Sequence, residues 1–219
     1  MKNYTFVTAI HGDEVLPALA LASVGEAPII ANPQAVSRGI RFIERDLNAS
    51  FATEGNTIEE QQARKLLETI PTDAFVIDFH TFSCESPPFC IVVDKRNILV
   101  ASQLGCMHVV YMKHNIKKGH ALINVRDGIS VEVGKHHDPR SFAETLRIRD
   151  RLREQNKAAE GSVYEVYDVI ARPGDYTNFV VQSEGEEYFY PVLAGEQAYK
   201  REGIYGLKAR KIQYNKELL

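Results

Sequence analysis

An α/β fold, a central sheet flanked by helices with a small β-rich region at the C-terminus, is what the sequence predicts. Strand-like and helix-like runs alternate over the first 160 residues. Two of the strand-like runs, Ala74–Phe79 and Ile129–Val133, are β-rich and nearly continuously apolar, as strands covered by helices on both faces are. After Gly161 the texture changes to short β-rich runs, separated by the turn signals Arg172-Pro173-Gly174-Asp175 and Glu184-Gly185-Glu186. The expected division is a domain of residues 1–160 followed by a small β-rich domain of residues 161–219.

In chain order, the β-branched and aromatic run Tyr4–Ile10 predicts the first strand, and residues 13–24 a helix. A strand is expected at 28–31, then a helix at 58–69, opened by Thr57 and Glu60 as a capping box. Strands at 74–79 and 90–94 precede a helix at 96–104, and strands at 107–112 and 129–133 follow. Asp138-Pro139 opens a helix over 140–159, because proline suits the first helical turn. The last strands are expected at 162–170, 179–183 and 187–193, with a tail near 203–214.

The 219 residues carry a formal charge of −3, a pI near 6.2 and 44% apolar residues, so no electrostatic footprint for nucleic acid is present. Arg147-Ile148-Arg149-Asp150-Arg151-Leu152-Arg153 reads as a solvated helix face, since Glu144, Asp150 and Glu154 interleave it. No apolar run approaches the roughly 20 residues of a membrane span, and no signal peptide is recognised. Cys84, Cys90 and Cys106 form no CxxC pair and suit a reducing cytoplasm. Cys106-x-His108 offers metal-ligand types, but a core cysteine is the expectation there.

Chemistry concentrates elsewhere. His11-Gly12-Asp13-Glu14 follows the first strand, His80 closes the run Ala74–Phe79, and Glu132 stands between Val131 and Val133. Residues at strand ends converge in open α/β sheets, so two imidazoles, a carboxylate ligand and a carboxylate base fit a hydrolytic zinc site. Glu132 would move the proton of the attacking water, Arg41 would stabilise an oxyanion, and Asp46 would hold a ligating imidazole in one tautomer. Duller readings stand beside these: His11 as a turn residue, Glu14 as a first-turn carboxylate favoured by a helix dipole, His80 as a packed strand end. Glu132 resists such a reading, because a carboxylate in an apolar strand is costly without a partner or a task.

The motifs resemble the succinylglutamate desuccinylase/aspartoacylase family, zinc hydrolases similar to the carboxypeptidase A class. They stand here as His11-Gly12-Asp13-Glu14, Asn32-Pro33-Gln34-Ala35, Gly39-Ile40-Arg41 through Asp46-Leu47-Asn48, Ile77-Asp78-Phe79-His80-Thr81 and Val131-Glu132-Val133-Gly134. Tyr190-Pro191-Val192 and Gly195-Glu196-Gln197-Ala198-Tyr199 extend the match toward the C-terminus. The resemblance implies a mixed sheet of the zinc carboxypeptidase kind and one zinc per chain, held by His11, Glu14 and His80. It further implies Glu132 as general base and acid, Arg41 on the scissile carbonyl and Asp46 on His11. Asn48 would contact the substrate's carboxylate, and Tyr199 would reach into the pocket.

Two departures bear on substrate. The family's Asp-Leu-Asn-Arg ends here in Ala49, which removes a bidentate anchor for an α-carboxylate. Either another cation replaces it (Arg38, Arg45, Lys117, Lys118 or Lys135), or the substrate lacks that carboxylate. Lys135-His136-His137 stands where the family continues with proline and glutamine, as pocket lining or as a solvated loop. The leading expectation is a cytoplasmic zinc amidohydrolase for a small N-acylated amine or amino acid other than N-acetylaspartate. A metallocarboxypeptidase on peptides and an inactive metal- or ligand-binding relative are the alternatives. The expected partner is the small N-acyl substrate, with no nucleic acid or membrane, and a homodimer as one option for assembly.

Overall fold

In a computed structural model, residues 4–116, 118–154, 161–200 and 202–213 are described. The strands are β1 (Tyr4–Thr8), β2 (Ile29–Ile30), β3 (Phe75–Phe82), β4 (Phe89–Val92), β5 (His108–Tyr111), β6 (Gly128–Lys135), β7 (Ser162–Ile170), β8 (Gln182–Glu184), β9 (Glu187–Val192) and β10 (Gly206–Ile212). The helices are α1 (Leu16–Ser23), α2 (Pro33–Arg38), α3 (Ile58–Thr69), α4 (Ile98–Gln103), α5 (Leu122–Val125), α6 (Pro139–Glu154) and α7 (Gln197–Lys200). The strands form one mixed sheet in the order β2-β1-β3-β6-β4-β5-β7-β10-β9-β8. β1, β3 and β6 run parallel, β4 pairs antiparallel with β6, and β7 joins β5 in parallel, so the sheet continues across residue 160.

Alternation along β3 and β6 separates core from chemistry. Phe75, Ile77 and Phe79 join Ile129, Val131 and Val133 in one apolar cluster with Ile148 and Leu152 of α6. The opposite face therefore carries Asp78 and His80 beside Ser130 and Glu132, and the parallel register pairs Asp78 with Ser130 and His80 with Glu132. Just beyond, the β3–β6 register shifts between His80 and Phe82. Gly134 sits there at φ 145°, where an added Cβ would meet Ser141 Oγ at 2.5 Å. Irregularities of this kind re-aim side chains beside sites.

α3 keeps the expected bounds, with Thr57 accepting from Glu60 N and Glu60 Oε2 accepting from Thr57 N at 2.9 Å. α6 begins at Pro139 as expected, and residues 155–159 of its expected range lie outside those described. Its arginines are paired: Arg147 with Glu144, and Arg149 and Arg153 with Glu26. α1 starts three residues later than expected, since 11–14 form a turn closed by Glu14 N donating to His11 O at 3.0 Å. The strand expected at 179–183 begins only at Gln182. Phe179 instead adopts φ 63° and stacks on His108 at 4.2 Å, which removes it from any ladder and occupies that imidazole.

The described residues contain no helix long and apolar enough to cross a membrane. Cys84, Cys90 and Cys106 are buried and free.

Buried Glu59 on α3 organises the loop that carries Arg41 and Asp46. Its carboxylate accepts from the backbone amides of Ile43 (2.6 Å), Glu44 (3.2 Å) and Arg45 (3.1 Å). Glu59→Ala leaves these three donors without an acceptor and should destabilise the fold by about 3 kcal/mol in urea unfolding. Glu59→Gln, which retains one acceptor oxygen, should cost less.

Candidate active site

His11 and Glu14 share the turn after β1, and this turn lies against α2. Asn32 opens α2 by accepting from Ala35 N at 3.2 Å, with Pro33 in the first turn. A Cβ on Gly12 would fall 2.2 Å from the Ala35 backbone, so only glycine lets helix and turn approach this closely. His80 arrives from β3. Ligand atoms of His11, Glu14 and His80, all three buried, lie within 4.8 Å of one another.

Both imidazoles turn the same nitrogen inward. His11 Nδ1 faces Glu14 Oε1 at 2.7 Å, and His80 Nδ1 faces Glu14 Oε2 at 3.1 Å. Their Nε2–H groups point outward to carboxylates: His11 donates to Asp46 Oδ1 (3.0 Å), and His80 to Asp78 Oδ2 (2.8 Å). Ser130 Oγ also donates to Asp78 Oδ2, at 3.2 Å. Glu14 can only accept as well, so with the Nε2 protons held by Asp46 and Asp78 it is the inner, Nδ1 proton that a cation would replace. Burial opposes charge on His80, but Asp78 and Glu14 outweigh it and hold the imidazolium well above its ordinary range. Burial likewise opposes Glu14 ionisation, yet His11 and His80 hold its carboxyl well below the usual range. Two imidazoles and one carboxylate, the imidazoles locked by outer carboxylates, fit a divalent ion of the zinc type.

Glu132 lines the same cavity as the triad. The residue is partly open to the cavity, but its Oε2 is fully buried and has no hydrogen-bond partner. Burial, reinforced by Glu14 and Glu196 against the pull of His80 and Arg41, raises its pKa to about 8. Arg41 donates to Glu14 Oε1 at 3.2 Å and lies 4.0 Å from Asp46 Oδ2. Burial opposes its charge, but the surrounding acids, Glu14 foremost, hold the guanidinium protonated more firmly than usual. Asn48 and Tyr199 also line the cavity, Asn48 Oδ1 accepting from Leu122 N at 3.2 Å. Asp46 faces the wider outer groove instead, together with Ala49 and Arg45.

Sequence reasoning gave no role to Asp78, Ser130 or Glu196. Asp78 carried a signal, standing two residues before His80 on a strand and hence on its face. Glu196 accepts from Ser83 N and Ser83 Oγ, both at 2.8 Å, which ties the segment bearing Tyr199 to the end of β3. His136 lines the outer groove, its Nδ1 2.6 Å from Thr81 Oγ1, while His137 is exposed with φ 61° in the turn before α6. None of the four described replacement cations lines the cavity. Arg38 and Lys118 are exposed, Arg45 pairs with Glu60 and Lys135 with Glu85; Lys117 lies outside the described residues.

The model of the succinylglutamate desuccinylase/aspartoacylase catalytic domain matches residues 2–154. A probable aspartoacylase of Prochlorococcus marinus (strain AS9601) is 22% identical, over 93% of this chain and 92% of its own. Murine aminoacylase 3 has a similar fold, with TM-score 0.75 and 18% identity over 96% of this chain and 95% of that one. So does a succinylglutamate desuccinylase from Chromobacterium violaceum, with TM-score 0.74 and 15% identity over 97% and 85%. The chain belongs to the succinylglutamate desuccinylase/aspartoacylase family.

Proposed function

We propose that this protein is a cytoplasmic zinc-dependent amidohydrolase that cleaves a small N-acylated amine or amino acid into a carboxylate and an amine. One observation carries the reading: an unpartnered, buried carboxylate oxygen of Glu132 shares a cavity with the His11–Glu14–His80 cluster. Residues 1–160 supply this machinery, and 161–219 contribute Leu193, Glu196 and Tyr199 to the cavity wall.

When bound at His11, Glu14 and His80, a divalent ion supplies Lewis-acid polarisation of the scissile carbonyl and makes water acidic enough to ionise near neutral pH. Glu132 takes the proton of the attacking water and passes it to the nitrogen of the departing amine. Arg41 holds the negative charge that develops on the carbonyl oxygen. Asp46 and Asp78 keep both imidazoles oriented, so that neither rotates as charge moves.

The test is a panel of N-acyl amines, N-acyl amino acids and short peptides, with the protein stripped by chelator and reloaded with zinc. Hydrolysis of the N-acyl compounds, lost with chelator and regained with zinc, is the expected result. Release of C-terminal residues from peptides with no cleavage of N-acyl compounds would overturn the reading. So would zinc binding with no cleavage anywhere on the panel.

A further inference from the structure

We infer that the cavity beside the His11–Glu14–His80 cluster receives an uncharged, apolar substituent of the substrate. This deepens the deacylase reading and rests on it. The space outside the protein atoms in this cavity, its open mouth included, is about 680 Å³. Beyond the polar cluster, and with the amides of Asn48, Asn115 and Asn124 beside it, an apolar stretch of its wall is made by Phe82, Ile91, Val93, Met112, Ile116 and Ile123. These come from β3, β4, the chain after β5 and α5, so several elements converge to build one apolar surface.

Charge points the same way. Among the described residues, Arg41 is the single guanidinium or ammonium group on this wall, and it is engaged by Glu14 and Asp46. Glu196 lines the wall as well and would repel a second carboxylate. Ala49 opens onto the outer groove and offers no cation. A carboxylate pressed against this aliphatic surface would lose its water and gain no cationic partner there, whereas a branched hydrocarbon gains apolar contact.

Four matched amides test the inference: an isovaleryl or a succinyl acyl group, each joined to isoamylamine or to aspartate. For the zinc-loaded protein, kcat/KM for N-succinylaspartate is expected to be at least about tenfold below that of the best amide with an isovaleryl or isoamyl group. The two mixed amides show which side of the scissile bond the cavity takes. Calorimetric titration of the metal-free protein supplies a readout independent of catalysis. N-isoamylisovaleramide should bind at least about tenfold more tightly than N-succinylaspartate. Hydrolysis with N-succinylaspartate equal or preferred overturns the inference and leaves the deacylase reading standing. Selective binding of the apolar amide with no hydrolysis of any of the four overturns the deacylase reading and leaves the cavity assignment standing.

Discussion

Glu132→Gln is expected to lower kcat for amide hydrolysis by about 10²–10⁴-fold, the range for loss of a general base, while zinc affinity stays near that of the parent protein. Glutamine fits the same space between Phe89 and His80, its cross-strand neighbours, but it cannot accept and return a proton. The three grouped ligand residues do not include Glu132, which is why chemistry and metal loading should separate. Equilibrium dialysis of zinc beside initial rates makes the comparison. Full activity in the metal-loaded variant would sink the proposed proton transfer.

The same substitution should alter stability with the opposite sign. Burial lifts the Glu132 carboxyl to about 8 in the metal-free chain, whereas in the unfolded chain it ionises near 4.3, like any glutamate. Between those values the folded state holds a proton that the unfolded state has released. The stability contributed by this group is therefore present at low pH and lost as pH rises through about 8. Glutamine has no proton to lose. Urea unfolding in the presence of chelator, at pH 5.5 and 8.5, should show the parent losing more stability than the variant over that interval. Equal losses would mean that the Glu132 environment is not the one described.

How far the site could be seen from residues alone depended on what each residue had to explain. Glu132 stood out because Val131 and Val133 make a strand interior in which a carboxylate needs a reason. His11 and His80 were legible as strand-end histidines, though each had a duller reading until the fold placed their Nδ1 atoms on one carboxylate. Glu59 gave no such signal. Next to Glu60 on a charged helix it resembles a solvated face, and its hold on residues 43–45 exists only once α3 meets the loop. Among the elements, β-branched runs and the Thr57 cap located strands and α3, since those signals are local. α2, α5 and α7 span six, four and four residues, too few for helical periodicity to register. Phe179 shows the limit of propensity: an aromatic residue in a β-rich run was drawn into a turn by stacking on His108.

Asp78→Asn is expected to weaken zinc binding by about 10–100-fold, measured by competition with a chromophoric chelator, although Asp78 touches no ion. Its Oδ2 accepts from both His80 Nε2 and Ser130 Oγ, and the residue is wholly buried, so no water can substitute. Asparagine keeps the shape but loses the charge that strengthens the imidazole as a donor. It can also turn its amide N–H toward Nε2. That orientation forces the proton onto Nδ1, the nitrogen that faces Glu14, and a protonated Nδ1 has no lone pair for a metal. Ser130→Ala separates the two effects. It removes one hydrogen bond to Asp78 and leaves the carboxylate charge and the His80 tautomer in place, so its loss of affinity should be several-fold smaller. If Asp78→Asn binds zinc as tightly as the parent, His80 is not held by its outer carboxylate, and the ligand geometry derived for Nδ1 falls with it.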